Sequence, residues 1–544
     1  MKLPMPLLFG WLAATYGVSA AAPPLVPAPA KAEMSEGVFR LQPQTQIVVD
    51  PPSEATGQYL ADRLRKSAGL RLNLVSTQRL RPARGAVVLT TQAAKGSLGP
   101  EGYELTVTPL AVVIRAPAQA GLFYGVQTLL QLLPPEVFAA QPGAARAWTV
   151  PCVQIEDQPR FKWRGLLFDV ARHFFTKDEV KQLLEVMASQ KLNTLQLHLT
   201  DDQGWRVEIQ KYPRLMEVSA WRAEAGFGLD PKASTAYGAG GRYGGYYTRA
   251  DLRDLVTYAA ARHITVVPEI EMPGHATAAL AAYPELSCSG APCTPASKGG
   301  VFHGIYCAGK DESFEFLQNV LAEVAPLFPG KYLHIGGDEV PKANWKNCPR
   351  CQARMKQEGL KDEHELQSYF VRRVEKMVNA QGKTLIGWSE IREGGLAQNA
   401  VVMDWIGGAV EAASAGHDVI MTPTKFCYLD YYQSTNKTAE PKAIGGYLPL
   451  SQVYAFEPIP EKLGAKDQGR ILGGQGNLWT EYIPNFKHAQ YMLFPRLCAL
   501  AEVTWSPAAA RNYADFLRRL PGQFQRLEQA GVNYRKGTAE RIGE

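Results

Sequence analysis

The pattern of hydrophobic and polar positions changes rhythm once along the chain, near Arg160. Before that point, short apolar runs alternate with helical spacing. Gln46 to Val49 and Ala86 to Leu89 predict strands, and Gln58 to Ser67 carries a helical period between them. Tyr103 to Val107 and Ala111 to Arg115, separated by Thr108-Pro109, predict a hairpin, and Gly121 to Leu133 predicts an amphipathic helix ended by Pro134-Pro135. Residues 38–151 thus read as a small α+β domain without a cluster of catalytic residue types. The stretch from Pro151 to Pro159 reads as its boundary.

Beyond Arg160 the pattern becomes strand, loop and helix, repeated. Candidate strands are Gly165 to Val170, Thr194 to Leu199, Ile264 to Ile270, Tyr332 to Gly336, Thr384 to Trp388, Ala400 to Trp405, Val419 to Thr422 and Ile471 to Leu478. Helices are predicted at Lys177 to Gln190, Ala250 to Arg262, Asp311 to Phe328, Glu363 to Gly382 and Lys487 to Val503. This is the pattern of a parallel sheet with crossover helices, and its strand count predicts an α/β fold, a (β/α)8 barrel over 152–544 closing with a C-terminal helix. A doubly wound open sheet is the alternative, weakened because no GxGxxG or Walker loop follows a strand.

A chain of 544 residues suits two such domains, and 46% hydrophobic with 20% charged residues describes an ordered protein. The net charge of +6 is dispersed and forms no basic block, so nothing points to nucleic acid or a membrane surface, and a neutral partner fits better. Met1-Lys2, an apolar stretch from Leu7 to Tyr16 and small residues through Ala21 resemble a signal peptide over 1–21, which predicts an exported protein, periplasmic or secreted. The Ala/Pro-rich residues 22–37 then read as a flexible leader. Given export, the cysteines in one loop, Cys288, Cys293 and Cys307, and the CxxC of Cys348 and Cys351 predict loop-stapling disulfides of open connectivity. No second CxxC or His pair follows Cys351 at zinc spacing, so no metal site is expected. No cofactor is expected either.

A barrel carries its reactive residues at the C-terminal ends of its strands. Acidic and aromatic side chains stand there throughout: Asp169 and Arg172-His173; Asp201-Asp202 with Trp205; Glu269, Glu271 and His275; Asp338-Glu339; Trp388; Asp404-Trp405; Tyr428 and Asp430; Trp479 and Glu481. Tryptophan at an exposed mouth is costly unless something stacks on it, and carboxylates mixed with aromatics suit a sugar. Glycoside hydrolysis is therefore the leading chemistry. Most glycosidases set two carboxyl groups across the sugar from one another, at about 5 to 9.5 Å. Neighbours leaving a strand diverge to different sides, so Asp338 and Glu339 cannot bracket an anomeric carbon. One can protonate the leaving oxygen while the other positions a nucleophile belonging to the substrate.

The run His334-Ile335-Gly336-Gly337-Asp338-Glu339, with Leu197-His198-Leu199-Thr200-Asp201-Asp202-Gln203-Gly204-Trp205, Pro268-Glu269-Ile270-Glu271-Met272-Pro273-Gly274-His275 and Trp163-Arg164-Gly165, resembles the β-N-acetylhexosaminidases of glycoside hydrolase family 20. The resemblance implies Glu339 as general acid, Asp338 as partner of the 2-acetamido group and Tyr428 as donor to its carbonyl. It also implies Trp388, Trp405 and Trp479 as aromatic walls, Arg164, Asp430 and Glu481 as grips on sugar hydroxyls, and Asp201 with His275 as a supporting pair. The implied partner is an N-acetylhexosamine-terminated oligosaccharide or glycoconjugate. Chitin, murein or glycan origin, and GlcNAc against GalNAc, stay open, as does a non-catalytic binding protein or a disaccharide-releasing relative. For Arg164 the competing expectation is an ion-pair partner beneath the barrel. The eighth strand, Gly473 to Trp479, carries more glycine and amide than the resemblance leads one to expect, which leaves the packing under Trp479 open.

Overall fold

The computed structural model describes residues 23–78, 84–142, 147–234 and 236–537, so the signal peptide expected over 1–21 lies outside the described residues. Seven strands form one sheet in the spatial order Lys31–Leu41, Trp148–Asp157, Tyr103–Val107, Ala111–Arg115, Ala86–Thr90, Gln46–Val49 and Asn73–Ser76. Helices Glu54–Ala68 and Gln119–Leu132 pack on the face that carries Ile47, Val49, Leu105 and Ile114. Two glycines permit that approach: a Cβ on Gly57 would lie 2.6 Å from Val49, and one on Gly125 would lie 2.5 Å from Ile114. Helix Gln119–Leu132 is buried on every side from Gly121 onward rather than amphipathic, because the barrel covers its outer face.

Two expectations about this region need correcting. The stretch after Pro151 is the middle of a strand that pairs with both Lys31–Leu41 and Tyr103–Val107, and Pro151 sits opposite Val38, where the register shifts. The leader is part of the fold. Lys31–Leu41 is a strand, and residues 23–30 run across both domains with Leu25 and Val26 buried. The backbone of Val26 exchanges hydrogen bonds with Gln131, Ala28 N–H donates to Glu502 (2.9 Å), and Arg526 donates to Pro24 (2.8 Å). Asp157 knots the pieces together, accepting from Ala30 N–H, Tyr103, the Lys191 ammonium (2.9 Å) and the Trp505 indole. A charge this deeply buried is tolerated because its oxygens are saturated with donors.

The second domain is a closed parallel barrel of eight strands. They are Trp163–Asp169, Thr194–His198, Thr265–Glu269, Tyr332–His334, Thr384–Trp388, Val401–Asp404, Val419–Met421 and Ile471–Leu478, in agreement with the predicted set. Strands buried on both faces read as continuous apolar runs, which is why all eight were visible. Capping boxes at Thr176 with Glu179 and Thr248 with Asp251 start the first two crossover helices. The single helix expected over 487–503 is two, Phe486–Leu493 and Arg496–Trp505, broken at Pro495, which has no N–H to continue the first. Inside the barrel, Trp163, Leu167, Ile386 and Met403 fill the lower lumen. The glycine and amide content of the eighth strand is explained there: a Cβ on Gly473 would lie 1.9 Å from the Trp163 carbonyl, and Gln475 accepts from the Trp163 indole (3.0 Å) while donating to Gln196 (2.7 Å).

The expected disulfides are not present: none of the eight cysteines is bonded to another, and the sulfurs of Cys288 and Cys351, Cys307 and Cys348, and Cys307 and Cys351 lie 3.6 to 3.8 Å apart, far beyond the bond length of about 2.05 Å.

Candidate active site

At the end of the fourth strand the chain turns sharply, with positive φ at Gly336 (69°), Gly337 (95°) and Glu339 (48°). Gly336 is required twice over, since a Cβ there would fall 1.7 Å from the carboxylate of Glu271. The turn separates the two acids. Asp338 is directed into the barrel mouth with its side chain 13% exposed, while the Glu339 side chain is 40% exposed and faces the opening. His275, itself at φ 48°, comes from the loop after the third strand and points Nε2 between them, 3.5 Å from Glu339 and 3.7 Å from Asp338. Left-handed backbone at two facing non-glycine residues stores strain, which concentrates at sites of function.

Behind His275 runs a relay of alternating charge. His275 Nδ1 lies 3.1 Å from Asp202 and 3.3 Å from Asp201; Asp201 lies 2.8 Å from His198 Nε2; His198 Nδ1 lies 2.6 Å from Glu269. Burial opposes a charge on His198, yet Glu269 and Asp201 outweigh it and raise the imidazole to about 10. His275 is raised well above the usual histidine range in the same way, burial being outweighed by Asp201 and Asp202. The hydrogen bond from His275 holds Glu339 below the ordinary glutamate range. Burial pushes Asp338 up to about 7, and drives Glu271 beneath it well above the usual value. These carboxylate and imidazole clusters could ligate a cation by composition, but each His here is already an ion-pair partner of its carboxylates.

Aromatic rings wall the mouth beside Asp338. Trp388 is 1% exposed, its indole donating to Glu269 (2.9 Å), and its ring lies 5.7 Å from that of Trp479. Trp405 stacks on Tyr428 with centroids 6.2 Å apart and is held by Glu390, which accepts from its indole (2.9 Å). Trp479 donates to the Tyr428 hydroxyl oxygen. On the far side, Asp430 is 2% exposed, and neither of its carboxylate oxygens has a partner among the described residues. Burial drives it well above the aspartate range, with neighbouring Glu481 adding to the shift. Glu481 Oε2 is likewise unpaired, and burial raises that group too, against the pull of Arg172. Buried polar atoms without partners are rare and mark where a ligand's hydroxyls would go.

One predicted site residue is elsewhere. Arg164 is the second residue of the first strand, roughly 16 Å below the mouth at a strand rise of about 3.3 Å per residue. It is fully buried there, donating to Glu101 (2.7 Å), Tyr124 and the carbonyls of Phe161 and Lys191. The arginine at the mouth is Arg172, beyond the same strand, 2.8 Å from Asp201, 3.1 Å from Asp169 and 3.7 Å from Glu481, with its guanidinium over the Trp479 ring. Counting positions along the strand distinguishes the two. Glu390 and His198 also belong to the site without having been assigned to it, while Glu269, expected only as a strand-end acid, holds both His198 and Trp388; alternation along the second strand would have turned His198 inward with Gln196. Asp404 instead caps its own loop, accepting from Ser389 (3.0 Å) and Gly407 N–H (3.0 Å), and His173 is bound to Thr480. A cavity of about 570 Å3 lined by Glu101, Tyr124, Trp163 and Tyr332 lies at the opposite end of the barrel, away from these acids.

The catalytic-domain description of glycosyl hydrolase family 20 matches residues 161–508, and the description of that family's domain 2 matches residues 22–158. The chain is 47% identical over 523 residues to a beta-hexosaminidase of Porphyromonas gingivalis, covering 95% of this chain and 65% of that protein, so it spans slightly under two thirds of that relative. It is 34% identical to a beta-hexosaminidase of Akkermansia muciniphila over 86% of this chain and 90% of the relative. Among solved structures it resembles a mutant Streptomyces plicatus beta-hexosaminidase in complex with product GlcNAc, at 35% identity and TM-score 0.82, covering 96% of this chain and 99% of that one.

Proposed function

The chain belongs to glycosyl hydrolase family 20, and from that premise we propose that it is an exo-acting β-N-acetylhexosaminidase releasing terminal non-reducing β-linked GlcNAc or GalNAc with retention. The observation that carries the reading is the split orientation of the acid pair, Glu339 outward and Asp338 inward against the aromatic walls. Substrate assistance is the known habit of this family, and the geometry supplies its parts. Glu339 gives its proton to the glycosidic oxygen as the substrate's acetamido carbonyl oxygen attacks C1 and the aglycone leaves. Asp338 accepts from the acetamido N–H, Tyr428 donates to the carbonyl oxygen, and Trp388, Trp405 and Trp479 enclose the methyl. Glu339, now a carboxylate, takes a proton from water, which attacks C1 and opens the oxazolinium ring. Two inversions leave the configuration retained.

The open-site protonation agrees with this cycle. His275 keeps Glu339 ionised while solvent reaches it, the form that serves as base. A bound sugar excludes that solvent and raises Glu339, and the proton it then holds is the one transferred. Asp430, Glu481 and Arg172 grip the sugar hydroxyls. The carbohydrate partner is taken to be GlcNAc- or GalNAc-terminated; a relative 28% identical over 77% of this chain bears the name N,N'-diacetylchitobiase, so chitooligosaccharides are the first substrates to test. Export is part of the proposal and rests on residues 1–21 alone; a mature protein retaining Met1 would remove it.

Replacing Glu339 by Gln is expected to lower turnover of an aryl N-acetylglucosaminide by about a hundred- to ten-thousandfold with little change in fold. Unchanged nitrophenol release would sink the assignment. Mass spectrometry of GlcNAc- and GalNAc-terminated oligosaccharides should then show single N-acetylhexosamines as products.

A further inference from the structure

Four cysteines that the reaction does not use come together on one flank of the mouth. Cys288 and Cys307 belong to the loop after the third strand, and Cys348 and Cys351 flank the start of helix Pro349–Glu358 after the fourth. Their sulfurs all lie within 4.8 Å of one another, and three are buried while Cys288 is half-buried. The separations are 3.8 Å for Cys288 to Cys351, 3.8 Å for Cys307 to Cys348 and 3.6 Å for Cys307 to Cys351. None of these three is markedly shorter than the others, and Cys307 and Cys351 each take part in two of them, unlike a set of two exclusive disulfide pairs. Four thiolates around one tetrahedral ion with bonds of about 2.3 Å have sulfurs about 3.8 Å apart, which is the spacing of these three pairs.

We propose that Cys288, Cys307, Cys348 and Cys351 form a structural zinc site that locks the loop carrying His275 to the segment following Glu339. The ligand arithmetic is that of a closed zinc centre: one C-x2-C knuckle at a helix start and two further thiols from a distant loop. The surroundings are built for close approach. Gly309, just beyond Cys307, lies flat on the knuckle, where a Cβ would fall 2.3 Å from the Arg350 carbonyl carbon and 2.5 Å from Cys351 N. The Gly309 N–H is directed at the Cys307 sulfur, the kind of donor that stabilises a metal thiolate. Cys293, in the same loop, is exposed and stands outside the group. The mechanical link to the active site runs through Tyr306, whose N–H donates to Pro273 (3.0 Å), two residues before His275, and whose carbonyl accepts from the Trp345 indole (2.9 Å) in the segment after Glu339. Binding would take a hydrated divalent zinc ion, release the thiol protons to solvent and change no oxidation state.

The test is made on the intact purified protein and does not depend on its activity. Elemental analysis should find about one zinc per chain. Stepwise titration with a thiol-specific mercurial should release that zinc as four thiols react, and cobalt exchanged into the site should give the intense visible absorption of a tetrahedral thiolate complex. Cys307→Ser and Cys348→Ser should lose the zinc, and Cys293→Ser should keep it. Zinc-depleted protein should melt at lower temperature and lose at least tenfold in kcat, recovering both when zinc is restored. Metal-free protein with these cysteines in disulfides, iron in place of zinc, or zinc retained by Cys307→Ser would each overturn the proposal. Because metal content is read directly, its failure is distinguishable from failure of the hexosaminidase reading.

Discussion

Arg164 and Arg172 stand at opposite ends of one strand and do unlike work: the first ties the domains together under the barrel, the second faces the acidic mouth proposed to hold the sugar. Arg172→Lys keeps the charge but loses the two-pronged donor, so kcat/KM should fall by roughly ten- to a hundredfold, the worth of a charged hydrogen bond of about 1.5 to 3 kcal/mol, while the melting temperature hardly moves. A large drop in melting temperature instead would make Arg172 structural. Asp338 shows the opposite balance. Burial raises it to about 7, so between roughly pH 4 and 7 the folded protein holds a proton that the unfolded chain releases. Its contribution to stability is full below about pH 4 and is lost as pH rises through 7. Asp338→Asn should therefore be more stable than the parent at pH 8, by on the order of 4 kcal/mol, with the gap closing toward pH 4, while activity is abolished. Thermal melts across pH check this, and a variant less stable at pH 8 would mean that the charge is fully compensated in the fold.

Among the elements, the turn after the fourth strand carries the most constraint. Gly336→Ala places a methyl on the Glu271 carboxylate and forces a left-handed alanine, costing about 1 to 2 kcal/mol in backbone strain before any overlap is counted. Because the same turn aims Glu339, activity should fall a hundredfold or more even where the variant stays folded; circular dichroism beside kinetics separates the two losses. The barrel strands and their acidic and aromatic ends were legible because a strand buried on both faces leaves an unbroken apolar run with a polar residue where it stops. Lys31–Leu41 was not, since most of its side chains are exposed and no apolar alternation marks it. Trp148–Asp157 was hidden by Pro151, tolerated where the pairing register shifts. Arg164 was misplaced because a motif shows that residues go together without showing at which depth of the barrel each lies. The cysteines were expected to come together, but in disulfides, because partners for the CxxC were sought after Cys351 whereas the two thiols that join it precede it in the chain.

For the whole molecule, the decisive contacts join the first described residues to the last helices. Removing residues 23–30 would strip a carbonyl acceptor from Arg526 and another from Arg519, and a donor from Glu502, all of them buried. At about 1 to 3 kcal/mol for each group left without a partner, the truncated protein should unfold at clearly lower denaturant concentration. Its KM should be unchanged, since this seam lies at the end of the barrel away from the sugar site, and a shifted KM would show the seam reaching the mouth. The same seam sets an order of events during synthesis. Ala28 waits for Glu502, 474 positions later, and the first barrel strand needs the eighth to close the ring. Local helices and hairpins can form as the chain emerges, but the leader cannot dock, nor the barrel shut, until nearly all of it has been made. A chain still on the ribosome is thus an open sheet with bare edges, exposed to mispairing until the late helices arrive.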